Sequence, residues 1–356
     1  MNTTWITRAE TGADRHAVHD LVRAAFGRPA EADLVDALRD DPAWLDGLSL
    51  LATDALGTPV GHALLTRAVN IAGRQLRQGR TGMITLAVPE LDVAYFAELA
   101  KHVMAEADRR GRTVLIHQTG GVRESELAAL HGFDTQFCDG VILSPLALLP
   151  RDLATRDRRL PVVLLGERPA AGTTDHVGID NVGAAREATE HLLARGRRRI
   201  AVVGGAVRGR QGTDRLRTDG YRQALAAAGL PFDEDLVVPV EAFHWRDGAR
   251  AATAVMNRPA PPDALLCLND HLALGALRAL HEAGRSVPKD LDVVGFDDIE
   301  ASRFSVPTLT TVAPDKREIA RTAVTLLLDR IDDTESAPSQ DHVAGHHVIV
   351  RESSGG

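Results

Sequence analysis

Arg217, Asn269, Asp297 and Trp245 are the side chains of this 356-residue chain best suited to holding a polar ligand. A ligand rich in hydroxyls needs convergent donors and acceptors, and an aromatic face for its apolar side. Arg217, within RLRTDGY, offers five donors in a fixed fork that can bracket a hydroxyl pair or a carboxylate. Asp297 directly follows the apolar run VVGF and accepts from hydroxyls. Asn269 directly follows ALLCL and both donates and accepts. Trp245, within FHWRD, is placed to stack on a sugar face, with Phe243 and His244 as alternates. Tyr95 and Phe96 come after the run MITLAV and would line the opposite wall.

Each of these has a plainer structural use beside the functional one. Asn269 and Asp270 precede HLALGALRAL and suit a helix N-cap. Arg217 can pair with Asp214 or Asp219 on the surface, and Trp245 can be ordinary packing. The GFDD carboxylates invite an acid–base or metal reading. The 14 histidines are scattered, His346 and His347 lie in a polar tail strand, and no nucleophile or metal-spaced ligand cluster completes such a site. The pattern is that of binding without chemistry: not an enzyme, no cofactor.

The elements that must position these side chains alternate regularly. MITLAV, TVLIHQ, CDGVILSP, LPVVLLG, RRIAVVGG, DALLCLND and LDVVGFDD are short apolar runs, separated by helical stretches such as FAELAKHVMAEADRRG, AREATEHLLARG and HLALGALRALHEAG. Such alternation indicates parallel sheets covered by helices on both faces. Ligands bind such sheets outside the C-terminal ends of the strands. Two sheets facing each other make a cleft with a hinge where the chain crosses between them.

Bulk properties exclude several classes. The net charge of −8 leaves no overall basic footprint for nucleic acid. MNTTWITRAE has no secretory pattern, and no apolar stretch approaches the roughly 20 residues that span a bilayer. Cys138 and Cys267 sit in apolar runs and read as buried thiols. A soluble, cytoplasmic protein with no membrane partner is expected.

Residues 1–68 follow a different logic. WITRAE reads as a strand, RHAVHDLVRAAF and EADLVDALRDD as helices, and LSLLATDALGTPVGHALLTRAV as two strands around a turn. This order, with GRPAEADLVDAL and VGHALLTR, resembles the opening half of a GCN5-related N-acetyltransferase. RQGRTG at 77–82 is superficially similar to that family's pyrophosphate loop, which must open a helix. The strand-like MITLAV follows instead, so residues 1–68 read as a truncated or fused remnant.

From residue 69 the chain resembles the lac repressor/galactose repressor (LacI/GalR) family. The likeness is carried by GRTGMITLAVPELDVAYFAELA, CDGVILSPLAL, HVGIDN, HLLARGRRRIAVVGG, DRLRTDGYRQAL, LCLNDHLALGALRAL, DLDVVGFDDIEASRFSVPTLTTV and VIVRESS. The resemblance implies an α/β, type I periplasmic-binding-protein-like core of two doubly wound parallel-sheet lobes, preceded by a small αβ fragment. It implies residues 82–178 plus 313–340 as one lobe and 179–312 plus 341–356 as the other. It further implies a small polar effector, a sugar or sugar derivative, held by Arg217, Asn269, Asp297 and Trp245, with Tyr95 and Phe96 matching less closely, and a homodimer. Residues 69–81 are similar to the family's hinge helix, with Leu76 at the position of the wedging leucine and Arg74, Arg77 and Arg80 facing phosphates. A plain basic linker reads the same stretch equally well. The family's helix-turn-helix head has no counterpart here: residues 1–68 carry ten acidic residues against six arginines, a net charge of −4.

Overall fold

The computed structural model describes residues 6–26, 30–39, 44, 49–64, 81–132, 138–154, 156, 160–167, 174–209, 212–332 and 338–355. The chain divides into two units, residues 1–81 and 82–356. No described helix is long and apolar enough to cross a membrane.

The first unit holds β1 (Ile6–Ala9), α1 (Arg15–Phe26), α2 (Ala30–Arg39), β2 (Ser49–Thr53) and β3 (Pro59–Leu64). This is the strand–helix–helix–strand–strand order expected from the sequence. The strands form an antiparallel sheet in the order β1-β2-β3. The alternation of β2 turns Leu51 onto Val18 and Val22 of α1 and Ala32 of α2. A charged cluster complements this small core: Arg39 Nε donates to Glu10 Oε1 at 2.9 Å, and Ser49 Oγ, 2.8 Å from His62 Nε2, donates to the other oxygen of Glu10. The hinge candidates Leu76, Arg74, Arg77 and Arg80 lie outside the described residues. RQGRTG runs directly into a strand beginning at Met83, which is not the context of a pyrophosphate loop.

The second unit contains two six-stranded sheets. The first lobe is built from β4 (Met83–Val88), α3 (Ala94–Arg109), β5 (Thr113–Gln118), α4 (Arg123–Leu130), β6 (Gly140–Leu143), α5 (Pro150–Ala154), β7 (Val162–Leu165) and β8 (Asp175–Ile179). The chain then forms α6 (Asn181–Ala194), β9 (Ile200–Val203), α7 (Thr213–Ala227), β10 (Val237–Val238), α8 (Trp245–Met256), β11 (Ala264–Cys267), α9 (Asp270–Glu282), β12 (Asp292–Phe296), α10 (Glu300–Phe304) and β13 (Thr310–Pro314) of the second lobe. It returns through α11 (Lys316–Asp332) and β14 (Asp341–Ala344) to the first lobe, and ends with β15 (His346–Ile349) in the second. The sheet orders are β14-β8-β7-β6-β4-β5 and β10-β9-β11-β12-β13-β15, parallel throughout except for β15 against β13.

Near-continuous apolar strands with helices on both faces account for this architecture. Leu86 of β4 and Ile142 of β6 pack against Val103 of α3 and Leu327 of α11. Val202, Leu266 and Val294 meet α6 and α7, while Val203, Leu265 and Val293 meet α8 and α9. Helices α8 and α9 touch backbone to backbone. A Cβ on Gly248 would lie 2.1 Å from the Leu272 carbonyl oxygen, and one on Gly275 would lie 1.9 Å from that of Trp245.

The chain passes between lobes three times: after Ile179, after Pro314, and through the single residue Gly345. The third passage differs from the sequence expectation, which put residues 341–356 in the second lobe. β14 pairs with β8, Asp341 opposite His176 and Ala344 opposite Ile179, so residues 341–344 belong to the first lobe. Its sequence DHVA is a half-exposed edge strand, and such a pattern does not specify which of two sheets it joins.

Candidate functional site

A cavity of about 950 Å3 lies between the two lobes at the C-terminal ends of their strands. The first lobe contributes Tyr95 and Phe96 from the start of α3, Ser144 after β6 and Glu167 after β7. The second contributes Asn181, Arg217, Phe243, Asn269 and Asp297. Five of the six side chains expected from the sequence therefore converge.

Arg217 lies in the second turn of α7 and is only 8% exposed. Its Nε donates to Asn181 Oδ1 at 2.8 Å, its NH1 donates to the Leu268 carbonyl, and its guanidinium carbon sits 3.3 Å from the Phe296 ring centroid. Burial lowers its pKa, and the carboxylates of Asp297 and Glu167 oppose that shift. The planar fork is thus fixed on one edge, with its charge held among acids. Asn181 in turn donates through Nδ2 to Glu167 Oε1 at 2.9 Å, linking Arg217 to the first lobe.

Asp297 follows β12 with a φ of 118°, and Asp298 with a φ of 47°, backbone conformations that L-residues seldom adopt. A clasp from the first lobe holds this turn. Lys316 Nζ donates to the carbonyls of Asp297 at 2.7 Å and Asp298 at 3.0 Å and to Glu98 Oε2 at 2.6 Å. Glu98 also accepts the Glu300 amide at 2.7 Å. Asp297 is 7% exposed and lines the cavity, and its carboxyl accepts no hydrogen bond from any described residue. Its pKa is raised to about 8, chiefly by burial, with Arg217 opposing the shift and nearby Asp270 adding to it. Asp270 is the better holder of charge in this acidic pair. It accepts Ser302 Oγ at 2.7 Å, Thr311 Oγ1 at 2.6 Å and the Ile299 amide at 3.0 Å, and such donors favour the ionised form.

The raised Asp297 pKa carries a signed expectation. The native state binds its proton more tightly than the unfolded chain, so the stability of the ligand-free protein falls as pH rises from the ordinary carboxylate range to about 8. A ligand hydroxyl that donates to Asp297 favours the ionised form, so affinity rises with pH below about 8 and levels off above it. The limit is about tenfold per pH unit. Calorimetric titrations on both sides of that pH measure the slope, and Asp297→Asn should flatten it. A flat profile in the parent protein would refute this role.

Asn269 reaches the cavity, but its amide is largely engaged. Its Oδ1 caps α9 by accepting the Leu272 amide at 2.8 Å, and its Nδ2 donates to the Phe243 carbonyl at 2.9 Å. It fastens the Phe243 loop to α9 and so shapes the wall. Tyr95 and Phe96 pack edge-to-face, with centroids 5.3 Å apart. Trp245 is the exception to the sequence expectation. As the first residue of α8 it lies outside the cavity lining and packs on His271, with centroids 5.3 Å apart. Phe243 supplies the aromatic wall on that side.

Sequence reasoning missed Ser144, Glu167 and Asn181. Each stands within two residues of the end of an apolar strand, the signal that found Asp297 and Asn269. Among the described residues no cluster of three or more His, Cys, Asp or Glu side chains could hold a metal, and both cysteines are buried and free.

Two interleaved parallel-sheet lobes around a polar, aromatic-walled cavity define an effector-binding core of the periplasmic-binding-protein type. Residues 189–354 match the family model for a periplasmic binding protein-like domain. The transcriptional repressor CytR of Escherichia coli (strain K12) is 31% identical over 261 residues, covering 73% of this chain and 75% of that protein. The transcriptional regulator CelR of Thermobifida fusca is 34% identical over 302 residues, 80% of this chain and 84% of that one. Among solved structures, a LacI-family regulator from Sanguibacter keddieii matches with a TM-score of 0.73 and 46% identity, covering 78% of this chain and 100% of that chain. A complex of the regulator CelR with cellobiose matches with a TM-score of 0.68 and 26% identity, covering 95% and 99%. The chain belongs to the LacI family of transcriptional regulators, and these relatives are regulators, not enzymes.

Proposed function

We propose that residues 82–356 sense a small, hydroxyl-rich effector, a sugar or sugar derivative, bound between the lobes, and that the protein works as a homodimer. The carrying observation is the convergence of Arg217, Asp297, Asn181 and Glu167 with the aromatic walls of Tyr95, Phe96 and Phe243 around one cavity. The fork and the carboxyls suit paired hydroxyls, and the rings suit the apolar face of a pyranose. The similarity to a regulator captured with cellobiose supports a saccharide. Binding that closes the lobes on the effector would change the relation between the two protomers.

In this reading the first unit is an opening half of a GCN5-related N-acetyltransferase joined to the sensor, and residues 1–68 supply no helix-turn-helix. Their described part is a three-stranded sheet with two helices, and their net charge is acidic, the opposite of a DNA-reading surface. The output then runs through self-association, with residues 69–81 as the remaining candidate DNA contact.

Thermal unfolding against a panel of saccharides and nucleosides tests the sensor reading. A ligand at a hundredfold excess over its Kd adds about 2.7 kcal/mol to the native state. No stabilisation anywhere in the panel would end the proposal. Titration with random and palindromic duplexes tests the output. Tight, palindrome-selective and sugar-responsive binding would overturn the absence of a reading head.

A further inference from the structure

Outside the cavity, a surface depression of about 600 Å3 is lined by Asp92, Glu241, His244, Trp245, Asp247 and Arg250, among others. Glu241 and Ala242 line both the depression and the cavity, so the two spaces share a border. The contact between Glu90, which lines the cavity, and His244, which lines the depression, runs across this border at 3.0 Å and joins the lobes' rims.

Trp245 is the large aromatic of the depression and is 49% exposed. Half of an indole facing water is an unusual use of the residue, whose apolar area ordinarily seeks cover. Its place is nonetheless fixed. The helix it begins is held against α9 by the backbone approach at Gly248 and Gly275, and its ring rests on the buried His271. A flat apolar surface is thus held rigidly at the mouth of a polar cavity. Around it stand both acceptors and donors, with Asp247 hydrogen-bonded to Arg250 and Asp92 and Glu241 close by. The inner lining carries Glu90, Glu167, Asp214 and Glu241 against Arg208 and Arg217, an excess of acid even with Asp297 protonated, and it disfavours a phosphorylated or carboxylated ligand.

We propose that Trp245 is the stacking platform of an outer subsite, and that the effector is a neutral oligosaccharide spanning both spaces. One sugar unit lies at Arg217 and Asp297, and a later unit lies on the indole face. The inference rests on the saccharide reading of the cavity and adds to it a length and a charge. It also explains why the tryptophan stands outside the cavity: it serves the part of the ligand that protrudes.

The test is calorimetry on the full chain with malto-, cello-, xylo- and galacto-oligosaccharides of increasing length from the monosaccharide, and with glucose 6-phosphate as the anionic probe. In the series that binds, affinity is expected to rise about tenfold when the chain becomes long enough to reach the indole, the size of one good aromatic contact. Trp245→Ala should remove that gain and leave the affinity of the shortest binding member unchanged, while Trp245→Phe should keep most of it. The fluorescence difference between the parent and Trp245→Phe, which isolates the signal of Trp245, should change only with the longer members. Affinity independent of length, or a gain that survives in Trp245→Ala, would overturn the outer subsite and leave the saccharide sensor standing. Binding of glucose 6-phosphate in preference to the neutral sugars would overturn the charge assignment. Failure of every saccharide of every length would overturn both the sensor reading and the subsite.

Discussion

Arg217→Met is expected to weaken effector binding by a hundredfold or more while leaving the two-lobed fold in place. The side chain supplies the charged fork at the centre of the cavity, and hydrogen bonds to a charged partner contribute about 1.5–3 kcal/mol each. Its removal also leaves the Asn181 Oδ1 and the Leu268 carbonyl without their donor and takes away the cation that faces Glu167 and Asp297 from α7. Truncating one member of a buried charged set costs about 2–5 kcal/mol, largely through the groups left behind. Methionine keeps the volume over the Phe296 ring, so far-ultraviolet circular dichroism should be unchanged. Arg217→Lys should recover little, because an ammonium cannot reach two acceptors in one plane. Calorimetry with the sugar that stabilises the parent most strongly decides the matter. An affinity within threefold of the parent would show that the ligand lies elsewhere.

Gly275→Ala is expected to be the most damaging single-methyl change in the second lobe. The added carbon would lie 1.9 Å from the Trp245 carbonyl oxygen, a backbone atom near the start of α8 that no rotamer change can move aside. Overpacking ordinarily costs about 1–3 kcal/mol. Relief here requires α8 and α9 to separate as whole helices, so about 3 kcal/mol is expected, seen as a lower midpoint in urea with little change in slope. Gly248→Ala, facing the Leu272 backbone across the same crossing, should behave similarly. An unchanged midpoint in both variants would mean that the crossing yields easily. The fixed positions assigned to Trp245 and Asn269 would then lose their basis.

Much of the core was legible in the sequence because its signals are local. Apolar runs flanked by helical periodicity mark β4, β6, β7, β9, β11 and β12, and burial on both faces explains their lack of polar alternation. The rule that ligand groups stand just past such strands located Asp297 and Asn269, and applied uniformly it would also have located Ser144, Glu167 and Asn181. What escaped depends on contacts between distant segments. Nothing near DHVA says that it pairs with β8 and not beside β13. Nothing in FHWRD says that Phe243 lines the cavity and that Trp245 packs on His271 of a different helix. Asn269 shows a third kind of gap: its residue type announces both capping and ligand contact, and only the Leu272 amide and the Phe243 carbonyl show how its amide is engaged.

The three passages at Ile179, Pro314 and Gly345 make each lobe a patchwork of non-adjacent stretches of chain. No single cut within residues 82–356 yields two pieces that each contain a whole lobe. A recombination event inside the core would therefore strand β14 from β8, or α11 from the sheet it covers. A segment can therefore be joined to the core without dividing either sheet only outside its limits, and the boundary between the two units at Thr81–Gly82 lies there.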